Sequence, residues 1–308
     1  MDVSVIVETW NLGGDPRAVE AGLAALLDLL RAQTLRADDV VVTHAALDAP
    51  ARARLEEALG RAVTWVALPA GSDYHRHKNA GFDAARGRVA AFLDGDCAPV
   101  ACWLERLTAP ILGGEARVAA GATAYRRGPA ALGATAVDFP VFPSPLGPGA
   151  VRGFFANNVA FARETFAARR FPELPGMFHG QCQLLALALQ ADRVLVRRVP
   201  GARVEHAWPE GARDYLAVRL LRGADTRAFA PHLLRAYAPR WAPGCRPRRA
   251  RCPPWRPRRA RHAGARLLAA RPRPVELAAG AAAIAAATAL DAVGAVAAGP
   301  VRRKLMPA

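Results

Sequence analysis

Between Val3 and Asp94 the chain alternates short, β-branched apolar runs with helix-length stretches, and this alternation restricts the fold more than any other feature. Val3–Val7 reads as a first strand, Val40–Thr43 as a second and Val63–Leu68 as a third. Asp15-Pro16 supplies an N-cap and a first helical residue, after which Leu23, Leu26, Leu27 and Leu30 recur at helical spacing. Ala51–Leu59 reads as a second helix. A βαβαβ opening of this kind predicts an α/β fold, a Rossmann-type three-layer α/β/α with a mostly parallel central sheet. The fourth apolar run, Val89–Leu93, stops at Asp94-Gly95-Asp96. In open α/β sheets, ligands bind at the C-terminal strand edges. Two carboxylates around one glycine there can share a hard divalent cation, which suits a phosphate-bearing ligand. The same three residues also make an ordinary polar turn.

Just upstream, Tyr74–Gly87 reads as a polar loop entering a helix that Gly87 closes. Lys78-Asn79-Ala80-Gly81 puts a cation, an amide and a glycine near that helix N-terminus, a composition suited to phosphate and ribose. Val118–Tyr125 reads as a strand followed by a long loop, since the prolines of Phe139-Pro-Val-Phe-Pro-Ser-Pro145 remove ladder donors. Leu184–Leu189 reads as helix and Val194–Val199 as strand.

The order of these parts resembles family 2 glycosyltransferases of the GT-A type. The resemblance is carried by the Val-Ser-Val-Ile-Val-x-Thr-x-Asn opening, Lys78-Asn79-x-Gly81, Ala85-x-Gly87 and Phe92-Leu93-Asp94-x-Asp96. It continues through Trp103-Leu104, Asn157-Asn158-Val159-Ala160-Phe161-x-Arg163, Phe171-Pro172-Glu173 and Val204-Glu205-His206, so it covers about Val3 to Arg222. It implies a GT-A-like domain with a sugar-nucleotide half (1–105) and an acceptor half (106–235). A nucleoside-diphosphate sugar would lie near Glu8, Thr9, Asn11, Lys78, Asn79, Gly81 and Asp94, with Arg219 and Arg222 reaching the diphosphate. Asp94, Asp96 and His206 would hold Mg²⁺ or Mn²⁺. Transfer to an acceptor hydroxyl would proceed with inversion. Phe139, Phe142, Phe154 and Phe155 could line an apolar acceptor groove, or pack in the core.

The resemblance breaks where the family carries a Gly-Glu-Asp run whose aspartate is the general base. Here the run is Gly180-Gln181-Cys182-Gln183, and neither glutamine can take a proton. Cys182, Glu173 and His179 are the candidate substitutes. Three options stay open: a displaced base, an acceptor needing little deprotonation, or a catalytically impaired sugar-nucleotide or glycan-binding protein.

The net charge of +16 is concentrated late: thirteen arginines and no acid fall between Arg235 and Arg273. Residues 236–274 therefore read as an Arg/Pro-rich linker drawn to anionic partners. Nucleic acid and an anionic membrane surface both fit such a run. The apolar stretch Val275–Val301 that follows favours the membrane, and 275–304 reads as an apolar helix. Asp291 within it is costly in a span, so an interfacial or partner-packed helix is equally open. The acceptor expected for such a protein is lipid-linked or a cell-envelope glycan. The five cysteines form no CxxC pair, which favours free thiols in a reducing compartment, and the opening residues do not resemble a signal peptide. The expected location is cytoplasmic, peripheral to or anchored in the inner face of the cell membrane.

Overall fold

The computed structural model describes residues 1–126, 128–174, 176–208, 211–237 and 255–305. In chain order the strands are β1 (Val3–Glu8), β2 (Asp39–His44), β3 (Thr64–Ala67), β4 (Val89–Asp94), β5 (Cys97–Pro99), β6 (Val118–Tyr125), β7 (Ala150–Val151), β8 (Asn158–Ala162) and β9 (Val196–His206). The helices are α1 (Pro16–Arg31), α2 (Ala49–Leu59), α3 (Tyr74–Ala84), α4 (Trp103–Leu112), α5 (Ala131–Asp138), α6 (Arg163–Ala168), α7 (Gln181–Ala191), α8 (Gly211–Tyr237), α9 (Trp255–Ala269), α10 (Pro274–Val296) and α11 (Ala298–Leu305). One sheet runs in the order β3-β2-β1-β4-β8-β6-β9-β5, with β7 on β9. β3, β2, β1 and β4 are mutually parallel, as the βαβαβ opening predicts, and β8 joins β4 antiparallel.

Residues pack in two units. The first (1–123, 141–173 and 181–207) holds the sheet. Val3, Val5 and Val7 pack with Leu23, Leu26 and Leu27 of α1 and Trp103 of α4 on one face. Ile6 turns to the other, with Phe82 of α3, Phe92, Phe161, Phe166 and Phe171. This is the strand alternation that gives a sheet two faces, each covered by helices. Asp15, Asp48 and Asp73 cap α1, α2 and α3 through side-chain bonds to the backbone N–H groups of Arg17, Ala51 and Arg76.

The second unit (124–140, 174–180 and 208–308) holds α5, α8, α9, α10 and α11. Asp138 of α5 accepts from Arg219, Arg222 and Tyr125 Oη, and Arg219 closes a bidentate pair on Asp291 of α10. α10 lies against α8 so closely that a Cβ on Gly294 would meet Leu220 O at 2.1 Å.

Several expectations need correction. The stretch after β6 is not all loop, because α5 forms there; a Cβ on Gly133 would sit 2.1 Å from Gly280 O of α10, so only a glycine allows this approach. Within the expected linker, α9 is a packed helix: Ala263 and Leu267 are buried with Val137 and Ile284. Residues 238–254 of that segment, including Cys245 and Cys252, lie outside the described residues. α3 begins at Tyr74 rather than beyond a loop and ends before Gly87, whose absent Cβ leaves room for Ser4 N at 2.5 Å. The expected Val194–Val199 strand and the late Val204–His206 stretch belong to one strand, β9. Phe154 is a core residue of the first unit, and Phe139 is buried in the second.

Candidate functional site

The parallel register sets Glu8 of β1 beside Asp94 of β4 and Thr43 of β2, so three polar residues end adjacent strands at the same edge. Gly95 turns the chain immediately after β4. A Cβ there would lie 2.8 Å from Glu8 O, and its own N–H donates to that carbonyl at 2.9 Å. The turn carries Asp96 and leads into β5, where Cys97 pairs in register with His206 of β9. Asp94, Asp96, Cys97 and His206 thereby offer ligand atoms within 4.8 Å of one another.

Asp94 is held through both carboxylate oxygens. Its Oδ1 accepts from Lys78 Nζ at 2.5 Å and Tyr74 Oη at 2.8 Å, and its Oδ2 from Asn11 Nδ2 at 2.8 Å. The Asn11 amide also donates to Glu8 Oε1 at 3.1 Å, bridging two carboxylates. Lys78 is completely buried and gives a further bond to Leu93 O at 2.7 Å. It meets the site as the counter-ion of Asp94, not as a cation open to phosphate. Three carboxylates thus gather near one ammonium and the His206 imidazole, and two of them respond in acidity. Burial, then the neighbouring Asp94, pushes the Glu8 carboxyl well above its usual range. Burial likewise raises Asp96 to about 6, against the opposing pull of His206.

A group of this composition fits a hard divalent cation. His206 Nδ1 lies 2.7 Å from Ala207 O; donating there fixes the tautomer and leaves Nε2 as a lone-pair donor, 3.8 Å from Asp94 Oδ2. Nδ1 is 3.4 Å from Asp96 Oδ2. Burial drives the Cys97 thiol well up, which keeps it protonated and leaves two carboxylates and an imidazole as the ligand set. The structure therefore brings together the three metal candidates read from the sequence.

Other candidates take different places. Thr9 is buried and donates to Thr43 O, Asn79 donates to Phe171 O, and Gly81 lets α3 approach β1, since a Cβ would meet Ile6 Cγ2 at 2.5 Å. Arg219 and Arg222 are paired with acids of the second unit. Glu173 is exposed, and His179 is held by Asp225 at 3.0 Å in the second unit. Cys182 stands at the N-terminus of α7, but burial pushes its thiol up to about 12, so it carries no thiolate at neutral pH. Its Sγ is 3.8 Å from His75 Nε2. His75 is the residue that motif reading passed over, together with Tyr74. Both lie in Tyr74-His75-Arg76-His77-Lys78, where helical spacing puts Tyr74 and Lys78 on one face of α3. Reading this run as loop hid that pairing.

A family model described as glycosyl transferase family 2 matches residues 4–172. No curated protein matches the chain. Among solved structures, glucosyl-3-phosphoglycerate synthase from Mycobacterium tuberculosis in complex with phosphoglyceric acid is similar at 17% identity and TM-score 0.50, covering 76% of this chain and 79% of that one. The same synthase with Mn²⁺, uridine diphosphate and glucosyl-3-phosphoglycerate gives 17% identity and TM-score 0.48 over 76% of this chain and 78% of that one. At such identity the likeness is one of fold.

Proposed function

The chain belongs to glycosyl transferase family 2, and from that premise we propose a metal-assisted, inverting transfer of a sugar from a nucleoside diphosphate to an acceptor hydroxyl. As a member of that family it is a glycosyltransferase that uses a sugar nucleotide. The observation that carries the finer reading is the group at the C-terminal edge of β4, where Asp94, Asp96 and His206 offer ligand atoms within 4.8 Å of one another and buried Glu8 adds a third carboxylate.

In this reading Asp94, Asp96 and His206 hold Mg²⁺ or Mn²⁺. When bound, that ion supplies positive charge opposite the departing diphosphate, where negative charge grows in the transition state. Lys78, Tyr74 and Asn11 fix both oxygens of Asp94 before any ligand arrives, so little reorganisation is needed on binding. Glu8, Thr9 and Asn11 form the first-strand side of the nucleotide site, and Lys78, Asn79 and Gly81 shape it through α3. The proton of the acceptor hydroxyl goes to His75. An imidazole is suited to base work near neutral pH, and this one adjoins Cys182, the position at which the family places its acid. The acceptor is a lipid-linked or cell-envelope glycan, presented at an anionic membrane surface on the cytoplasmic side; the support is the apolar helix α10 and the local excess of arginine.

The test is release of nucleoside diphosphate from a panel of sugar nucleotides. With Mn²⁺ and a glycolipid acceptor, release is expected from at least one donor and is lost with chelator. His75→Asn should cut the rate by about 10² to 10⁴ while donor affinity stays unchanged. A variant with normal turnover removes His75 from the reaction.

A further inference from the structure

α10 is built inside out for a helix in water. Stepping about 100° per residue, Val275, Ala282, Ala285, Ala289, Val293 and Val296 fall within about a quarter of its circumference, and all are exposed. Val275, Val293 and Val296 retain 60%, 54% and 80% of their accessible surface. A helix against water ordinarily turns its polar side chains outward; here they are occupied within the protein. Asp291 pairs with Arg219, Thr288 donates to Ile284 O, and Glu276 closes the N-terminal turn with Arg273. The opposite face, with Gly280, Ile284, Ala287 and Gly294, is the buried one.

What covers the outer face is indicated by its ends. Arg271 is exposed just before α10, and Arg303 and Lys304 are exposed in α11 just after it. A bare apolar stripe along a helix of 23 residues, set between basic ends, matches an anionic bilayer surface, whose headgroups neutralise those charges while the stripe enters the acyl boundary. A second copy of this chain would instead bring like basic ends together on molecules already carrying +16. The buried face also bears on orientation. Because α10 is engaged with α8 along that side and Asp291 is neutralised there, only one side is offered to lipid, as for a helix lying in the interface plane.

We propose that the Val275–Val296 stripe of α10 is the surface by which this protein lies on an anionic lipid bilayer. The inference deepens the membrane part of the function proposed above and rests on it, but not on catalysis.

Flotation of the full-length protein with phosphatidylcholine vesicles, with and without phosphatidylglycerol, tests it. The wild type should float with the anionic vesicles and release at high salt. Val293→Asp/Val296→Asp should lower the floated fraction about tenfold or more, as for a binding loss of ~1.4 kcal/mol or above. Both side chains already meet water, so the variant should keep its melting temperature and its donor affinity. Val293→Ser/Val296→Ser, a milder change, should give an intermediate loss. Flotation of the aspartate variant equal to wild type overturns the stripe while leaving membrane attachment through other basic segments standing. A wild type that never floats removes both. Dimerisation of the wild type that the aspartate variant abolishes assigns the stripe to self-association and overturns the proposal.

Discussion

Two clusters of buried charge, one in each packing unit, use the same residue types to opposite ends. At the C-terminal edge of β4, three acids, Glu8, Asp94 and Asp96, gather near the Lys78 ammonium and the His206 imidazole. In the helical unit, Asp138 and Asp291 meet Arg219 and Arg222, two acids for two bases. The second cluster is electrically complete, and each guanidinium supplies several donors to the carboxylates it meets. The first sets more acid than base among the described residues, and burial above all, then the neighbouring carboxylates, leaves Glu8 and Asp96 less acidic than usual. A balanced buried cluster reads as structure; an unbalanced one at a strand edge reads as a site awaiting a cation.

The largest effect separating the two comes from removing a base from the balanced cluster. Arg219→Met should destabilise the helical unit by about 3–5 kcal/mol, because Asp291 loses its bidentate partner and Asp138 one of its two guanidinium partners. Denaturant unfolding reads this directly. The strand-edge cluster should behave in the opposite sense. A carboxyl held near 6 instead of its ordinary 3.8 costs the folded state about 3 kcal/mol at neutral pH. Asp96→Asn should therefore stabilise the metal-free protein by up to that amount. A loss of stability in that variant would mean the cluster is already balanced.

The same shift gives a pH dependence with a definite sign. The folded protein holds more protons on Asp96 than the unfolded chain does between pH 3.8 and about 6, so this contribution to stability falls as pH rises through that window. Wild type and Asp96→Asn should thus converge in stability at low pH and diverge toward pH 7. Smaller again is the effect of metal: Mn²⁺ at a hundred times its dissociation constant should add about 2.7 kcal/mol to the wild type. Asp96→Asn should gain little. Thermal melts with and without the ion measure both.

This contrast was only half legible in the sequence. β1, β2, β4, the Asp15 cap and the Asp94-Gly95-Asp96 turn all follow from local pattern, because apolar runs and an Asp-Pro cap are written in neighbouring residues. His206 could be placed only through the family resemblance, since its approach to Asp96 depends on β5–β9 pairing far along the chain. Lys78 was expected as an open cation; its burial follows from α3 starting at Tyr74, four residues earlier than a loop reading allows. The matched pairing of Arg219 with Asp138 and Asp291 has no local signature at all. Nor do α5, whose N-cap Ala130 makes no side-chain capping bond, and α9, whose arginines hide the buried Ala263 and Leu267. Each is decided by tertiary packing between distant segments.

The central claim, that the strand-edge cluster is completed by a divalent cation, is tested most directly by calorimetric titration of Mn²⁺, with uridine diphosphate present, into wild type and Asp96→Asn at pH 7.5. Saturable binding to the wild type, lost in the variant, is the predicted result. Equal affinity for the two proteins would contradict it.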